Sequence, residues 1–104
     1  MKKGYNKLVR DKIAQIIESK GGKANTKILN SEEYLVELNK KLQEEVKEYL
    51  ESGEVEELAD IQEVLLALVK AKGKTIKDFE DIRLNKVEKR GAFEDKLFLI
   101  DVEE

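Results

Sequence analysis

Two long amphipathic stretches, separated by a two-residue break, constrain the fold of this chain more than any other feature of its sequence. In the first stretch, apolar side chains recur every three or four residues: Leu35, Leu38, Leu42, Val46 and Tyr49. In the second stretch they recur with helical spacing: Leu58, Ile61, Leu65, Leu68 and Val69. Such spacing places each set on one face of an α-helix. Because only Ser52 and Gly53 break the pattern and the chain has no proline, we expect two uninterrupted helices that fold back on each other.

Similar patterns predict four helices and two short strands along the whole chain. The predicted helices are Val9–Lys20, Ser31–Ser52, Glu54–Lys72 and Thr75–Arg90. Residues Ala24–Leu29 and Lys96–Val102 are predicted to be strands, because they contain β-branched or consecutive apolar residues, and they could pair with each other. The chain should therefore be all-α, an antiparallel bundle of about four helices with a small strand appendage, in a single domain over residues 1–104.

Capping residues mark the predicted starts of the second and fourth helices. Ser31, followed by the acidic Glu33, is expected to be the N-cap of the second helix. Thr75, with Asp78 three residues later, is expected to begin the fourth. Side chains of this kind satisfy the free N–H groups of a first helical turn, so both starts should be well defined.

The residue types that the chain lacks exclude several kinds of site. Without cysteine, neither a disulfide framework nor a thiolate metal site is possible. Without histidine, the usual zinc ligand and the usual general base are missing. Any metal must therefore be held by oxygen, which favours magnesium, manganese or calcium.

Charge and hydropathy narrow the possible partners and the location. A net charge of −3 argues against a general nucleic-acid binder, which would carry a clear basic excess. The longest apolar run, Val64–Val69, is far too short to span a membrane, and Met1–Gly4 leads into a charged segment with no apolar signal core. We therefore expect a cytoplasmic protein without membrane partners. Small chains often cover apolar surface by pairing with copies of themselves, so a homodimer or homotetramer is expected.

Four acidic residues on the two central helices form the most informative pattern. Glu45 and Glu48 are three residues apart, as are Glu57 and Asp60, so each pair occupies one helix face. The pairs lie at matching distances from the turn, because Glu48 and Glu45 are four and seven residues before Ser52 and Glu57 and Asp60 are four and seven residues after Gly53. If the helices are antiparallel and pack about 8–10 Å apart, the four carboxylates meet in one cluster.

The positions of these acids relative to the apolar faces strengthen this interpretation. Glu45 and Glu57 border the apolar faces of their helices, whereas Glu44 and Glu56 are expected to point away into solvent. Carboxylates crowded at the edge of a core repel one another unless a cation neutralises them. A chain with 23 acids contains such pairs by chance, and each pair alone is typical of a solvated surface. Their symmetric placement about the turn favours a metal site.

The acidic pattern resembles that of the MazG-like family of all-α nucleotide pyrophosphohydrolases. The family motif is Glu-Glu-x-x-Glu followed, after a variable gap, by Glu-x-x-Asp, and the chain has this pattern at Glu44–Glu48 and Glu57–Asp60. The segments Tyr5–Ile13 and Lys89–Phe93 resemble a small subgroup similar to phosphoribosyl-ATP pyrophosphohydrolase. Ala14 stands where that subgroup commonly has proline.

The resemblance implies a reaction and a set of site residues. A helical enzyme of this kind binds Mg²⁺, with Mn²⁺ as a possible substitute, through four acids, here Glu45, Glu48, Glu57 and Asp60. It cleaves a nucleoside triphosphate between the α and β phosphates, which yields a nucleoside monophosphate and pyrophosphate. Because histidine is absent, Glu45 or Glu48 would have to accept the proton.

Two groups of basic residues are candidate contacts for the phosphates. Family members carry basic residues near the positions of Lys86, Lys89 and Arg90, so the resemblance implies that these bind phosphate. Cations at a helix C-terminus also complement its dipole, which leaves a structural interpretation open. For the second group (Lys7, Arg10 and Lys12), a solvated surface is the favoured interpretation and substrate contact the alternative.

Two other classes of function remain open. A non-catalytic helical module for oligomerisation, or for nucleotide binding without turnover, agrees with the strongly charged amphipathic helices. A nucleic-acid-binding or antitoxin-like protein is disfavoured by the net negative charge and by the lack of a basic arm. Loss of pyrophosphate release on neutralising Glu45 and Glu57 would distinguish the enzyme from the module.

Overall fold

The computed structural model describes residues 1–103 and contains four helices. Their bounds are α1 Ile13–Ser19, α2 Ser31–Ser52, α3 Val55–Ala71 and α4 Ile76–Arg90. The predicted all-α class is therefore confirmed. No strand is found among the described residues, so the predicted strand appendage is wrong. Two isolated strands are only marginally stable in water without a third strand or a covering helix, and the apolar side chains of Leu97–Ile100 have no such cover.

Helices α2 and α3 form a hairpin that holds the core of the molecule. The turn depends on Gly53, which has a φ of +68° and whose N–H donates to the carbonyl of Tyr49 at 2.7 Å. A left-handed residue of this kind ends a helix without the steric cost that a side chain would bring. Leu38 from α2 and Val64 and Leu68 from α3 are buried against each other. The partly buried residues around them are Leu8, Leu35, Leu42 and Ala67.

The structure confirms Thr75 as the cap of α4, whereas the cap of α2 lies one residue before the predicted Ser31, although α2 itself begins at Ser31 as predicted. Thr75 caps α4: its side chain accepts from the N–H of Asp78, whose carboxylate accepts from the N–H of Thr75. At α2 the N-cap is Asn30 and not Ser31. The N–H of Glu33 donates to Asn30 Oδ1 at 2.9 Å, and Glu33 Oε1 accepts from the N–H of Asn30. Two reciprocal bonds favour Asn30, since Ser31 then enters the helix with helical backbone angles.

The first helix is shorter than predicted, and the segment before it packs against the hairpin. Helix α1 begins at Ile13 with no side-chain cap, four residues after the predicted start at Val9. Leu8 is instead partly buried against the core of the hairpin. The chain before α1 thus runs across α2 and α3, and the residues on either side of Leu8 come close to both helices.

Much apolar surface lies outside this small core. On α4 only Phe79 is partly buried, and the exposed apolar residues of that helix are Ile76, Ile82, Leu84 and Val87. The radius of gyration is 18.4 Å, whereas a compact domain of this length has about 13 Å. Over residues 1–103, none of the helices combines the length and the apolar character that crossing a bilayer requires.

Candidate metal centre

Glu45 is the only buried charged residue among those that the structure describes. Glu45 is 7% exposed, and the Oε2 atom of its carboxylate has no hydrogen-bond partner. The helical repeat explains the burial, because Glu45 follows Leu42 by three residues and Leu38 by seven, and so lies on the same face as both. A buried carboxylate oxygen without a partner is costly, and no group among residues 1–103 satisfies it.

The hairpin brings Glu45 together with two acids of α3. Candidate ligand oxygens of Glu45, Glu57 and Asp60 all lie within 4.8 Å of one another. Glu57 and Asp60 precede the buried Val64 by seven and four residues, so both lie on the core-facing side of α3. Three of the four acids that were expected to meet across the hairpin therefore do so, whereas Glu48 is not in this group. Metal binding by them stays a prediction.

A second acidic group extends the cluster along α2. Oxygens of Glu44, Glu45 and Glu48 also lie within 4.8 Å of one another. Glu48 is exposed, so it lies on the open side of the cluster. Glu44 corrects an expectation: it does not point away into solvent but is partly buried and within 2.8 Å of Lys7 Nζ. The N-terminal segment covers this side of α2, which no local pattern in α2 could indicate.

The protonation equilibria reflect the crowding of negative charge. Desolvation by burial raises the pKa of the Glu45 carboxyl, and the charge of Glu48 raises it further, against the opposing effect of Lys41. The pKa of Glu57 is also raised, by desolvation first and then by the charges of Asp60 and Glu45. Both carboxyls therefore hold their protons more tightly than ordinary glutamates, because the positive charge nearby does not balance the cluster.

Glu44 shows the opposite behaviour, since it has cationic partners. A hydrogen bond from Lys7 lowers the pKa of Glu44, and the same contact raises the pKa of Lys7. Lys41 Nζ lies 3.4 Å from Glu44 Oε2 and 3.4 Å from Glu45 Oε1, so one ammonium group is shared between two carboxylates. The positive charge near α2 is therefore concentrated at Glu44. The group of Glu45, Glu57 and Asp60 carries more negative charge than its basic neighbours offset.

Within residues 1–103, Arg10 is the one basic residue that forms an ion pair with an acid of α3. Its Nη2 lies 2.6 Å from Asp60 Oδ1, while Lys7, on the other side of Leu8, reaches Glu44 on α2. Both contacts differ from the solvated surface that was expected for Lys7 and Arg10. These contacts join residues 37 and 50 positions apart in the chain, so no spacing rule within a helix could have found them.

The basic residues at the end of α4 do not take part in this network. Lys86, Lys89 and Arg90 are exposed, and within residues 1–103 none of them forms an ion pair. Their assignment to phosphate therefore stays a prediction from the resemblance, without a contact in the structure that supports it.

The arrangement of acids fits a divalent cation. All donors are carboxylate oxygens, which Mg²⁺ and Mn²⁺ prefer. The candidate oxygens of Glu45, Glu57 and Asp60 lie within 4.8 Å of one another, so these three residues would be the ones to hold such an ion. The unpartnered Oε2 of Glu45 gives an independent reason to expect an ion here.

Comparison with known proteins does not extend this picture. No family model matches the chain, and neither a curated protein nor a solved structure matches it.

Proposed function

We propose that the protein is a magnesium-dependent nucleoside triphosphate pyrophosphohydrolase that releases pyrophosphate and a nucleoside monophosphate. The observation that carries the proposal is the buried carboxylate of Glu45, which has an unpartnered oxygen and groups with Glu57 and Asp60 across the hairpin. The resemblance of the acidic motif to MazG-like enzymes supplies the reaction. Mn²⁺ should replace Mg²⁺, since it accepts the same oxygen ligands.

The carboxylates have two proposed roles: they hold the ion, and one of them accepts a proton. Glu45, Glu48, Glu57 and Asp60 would hold the ion between the two helices. Bound Mg²⁺ would supply positive charge that offsets the phosphate charge and promotes deprotonation of the attacking water. Glu45 or Glu48 accepts that proton, because the chain has no histidine to do so. The bond between the α and β phosphates breaks, and the oxygen of the water ends on one of the two products.

The phosphates also need cationic contacts, which the end of α4 is proposed to supply. Lys86, Lys89 and Arg90 are exposed and unpaired within residues 1–103, so their side chains are free to contact a ligand. Arginine in particular offers two parallel N–H donors to phosphate oxygens. This assignment is supported by the resemblance of the sequence around them.

A panel of nucleoside triphosphates incubated with Mg²⁺ tests the proposed reaction, with pyrophosphate and orthophosphate measured separately. We expect pyrophosphate release that requires the metal. Glu45→Gln and Glu57→Gln should each lower the rate by at least about a hundredfold, because each removes a negative charge from the ion site. Glu63→Gln, an exposed acid on the same helix as Glu57, is the matched control and should keep the wild-type rate.

The same panel separates the enzyme from its main alternative. A non-catalytic module for oligomerisation or nucleotide binding would release no pyrophosphate under any condition, either as the wild type or as the Glu45→Gln variant. Release of orthophosphate in place of pyrophosphate would also contradict the proposal, since it would mean cleavage at a different phosphoanhydride bond.

We further infer that the chain associates with copies of itself, as a homodimer or homotetramer. The exposed apolar side chains of α4 and of Leu97–Ile100 support this inference, because a chain of this size gains stability when a second copy covers such surface. The extended shape, with principal dimensions of 64 × 32 × 23 Å, leaves room for a partner along the hairpin.

A further inference from the structure

We propose that Arg10 changes partner when the site is loaded: it neutralises Asp60 in the metal-free protein and binds a phosphate oxygen of the triphosphate once a divalent ion engages Asp60. The inference rests on the proposed function, since it assigns a further substrate-binding residue to the same site. It also replaces the interpretation of Arg10 as solvated surface.

The N-terminal segment is fixed in a way that keeps Arg10 beside the acids. Leu8 is partly buried against the core of Leu38, Val64 and Leu68, and so anchors the backbone two residues before Arg10. On the other side of Leu8, the hydrogen bond from Lys7 to Glu44 holds the segment to α2 at 2.8 Å. Arg10 could release Asp60 and still remain within a side-chain length of the site, because both neighbouring anchors are independent of Asp60.

Breaking the contact between Arg10 and Asp60 should cost the protein little free energy. The side chain of Arg10 is 57% exposed and that of Asp60 is 39% exposed. Ion pairs that are exposed to water contribute little to stability. A divalent ion between Glu45, Glu57 and Asp60 would meet three carboxylates at once, whereas the guanidinium meets one. The ion should therefore displace Arg10 at small cost.

Displacement leaves the guanidinium where phosphate charge is expected. A nucleoside triphosphate that shares the ion must place its phosphate oxygens next to the acids, because those oxygens complete the ion's coordination shell. Arginine cannot lose its charge and presents a planar pair of N–H donors that matches two phosphate oxygens. Arg10 is thus a cation that neutralises one of the ion's ligands, Asp60, when the site is empty and balances the substrate's charge when the site is filled.

Two measurements with opposite expected directions test the exchange. In the first, Mn²⁺ binding is followed by electron paramagnetic resonance without nucleotide. Arg10→Gln should bind Mn²⁺ about two- to fivefold more tightly than the wild type, because a competing surface cation is gone. In the second, the triphosphate hydrolysed fastest in the panel is titrated with Mg²⁺ present. The same variant should raise KM about tenfold or more, with a smaller effect on kcat, because a charged contact to phosphate is lost.

Two further variants give the test its controls. Arg10→Lys keeps the charge and loses the planar pair of donors, so it should restore wild-type Mn²⁺ affinity and only part of the KM. Arg83→Gln removes an arginine that pairs with Glu80 on the exposed surface of α4, and it should change neither quantity. Far-UV circular dichroism checks that each variant is folded.

The outcomes distinguish this inference from the proposed function. Tighter Mn²⁺ binding together with a higher KM supports the exchange. Unchanged values, or changes of both affinities in the same direction, would overturn it even if the wild type releases pyrophosphate. If no triphosphate is hydrolysed, the proposed function fails and the role of Arg10 in substrate binding fails with it, while the Mn²⁺ measurement still reports whether Arg10 competes for the acids.

Discussion

Burial of Glu45 without a partner for Oε2 is unfavourable in the metal-free protein. Removing a carboxylate from water costs free energy, and the nearby charge of Glu48 adds to it. Lys41 offsets only part of this cost, because its ammonium group is shared with Glu44. The burial of this carboxylate therefore lowers the stability of the fold.

The pH dependence of stability should reveal this cost in protein freed of divalent ions. The pKa of Glu45 is raised above its ordinary 4.5 in the folded state. Its protonation therefore stabilises the fold fully below the unfolded pKa, and this stabilisation is lost as the pH rises through the folded pKa. Glu45→Gln should be more stable than the wild type near pH 7, on the order of 1 kcal/mol, and the difference should shrink below about pH 4.

Thermal unfolding at several pH values, with and without Mg²⁺, measures this effect. Addition of Mg²⁺ at neutral pH should raise the melting temperature of the wild type and leave that of Glu45→Gln almost unchanged, because the ion binds the charged carboxylate. A wild type that is the more stable of the two at neutral pH without metal would show that Glu45 is satisfied and needs no ion.

At the scale of helices, the start of α2 gives a direct test of one structural assignment. Asn30→Ala removes the side-chain oxygen that accepts from the N–H of Glu33 and should lower the free energy of unfolding by about 1 kcal/mol. Ser31→Ala, one residue along, should change it by less than about 0.5 kcal/mol, because Ser31 is an exposed residue inside the helix. Urea denaturation measures the free energy of unfolding of both variants. A larger loss for Ser31→Ala than for Asn30→Ala would indicate that Ser31 is the cap.

Most helix bounds could be predicted from the sequence because local signals agree there. Around α3 and α4 the apolar spacing, the glycines and the cap at Thr75 all indicate the same limits, and the structure matches the predictions to within a residue. The start of α1 could not be predicted, because Leu8 leaves the helical pattern to pack on a distant hairpin. The strand at Lys96–Val102 was wrong because consecutive apolar residues indicate a strand only where a partner strand is available.

The acidic cluster was predictable for the same reason, and its cationic partners were not. Helical spacing and one tight turn are enough to bring Glu45 beside Asp60. The contact between Arg10 and Asp60 depends on how a segment without regular structure crosses the hairpin, which is decided by tertiary packing of Leu8. Sequence patterns describe contacts within helices and across short turns, and they carry little information about such long-range pairs.

Considered as a whole, the molecule has an incomplete core for its length. Of residues 1–103, three apolar ones are buried, while Phe98 is 89% exposed and its neighbours in Leu97–Ile100 are similarly uncovered. Surface of this kind is typical of an interface, and association would bury it.

Light scattering coupled to size-exclusion chromatography tests self-association directly. We expect a mass of at least twice the 12.0 kDa of one chain. The double variant Phe98→Glu, Ile100→Glu should shift the mass to that of a single chain, because buried charges without partners oppose association. Asn25→Glu adds charge at an exposed polar position and should leave the mass unchanged. A wild type with the mass of one chain would contradict the proposal.

The sharing of one helix face by acids and core residues has a consequence for how this chain can change over evolutionary time. One residue gained or lost between Asp60 and Val64 would turn the carboxylate by about 100° from the face that now directs it inward. Connecting segments elsewhere tolerate insertions and deletions at little cost. Within the hairpin, substitutions should therefore accumulate far more readily than changes of length, and engineering of this site should keep its residue spacing fixed.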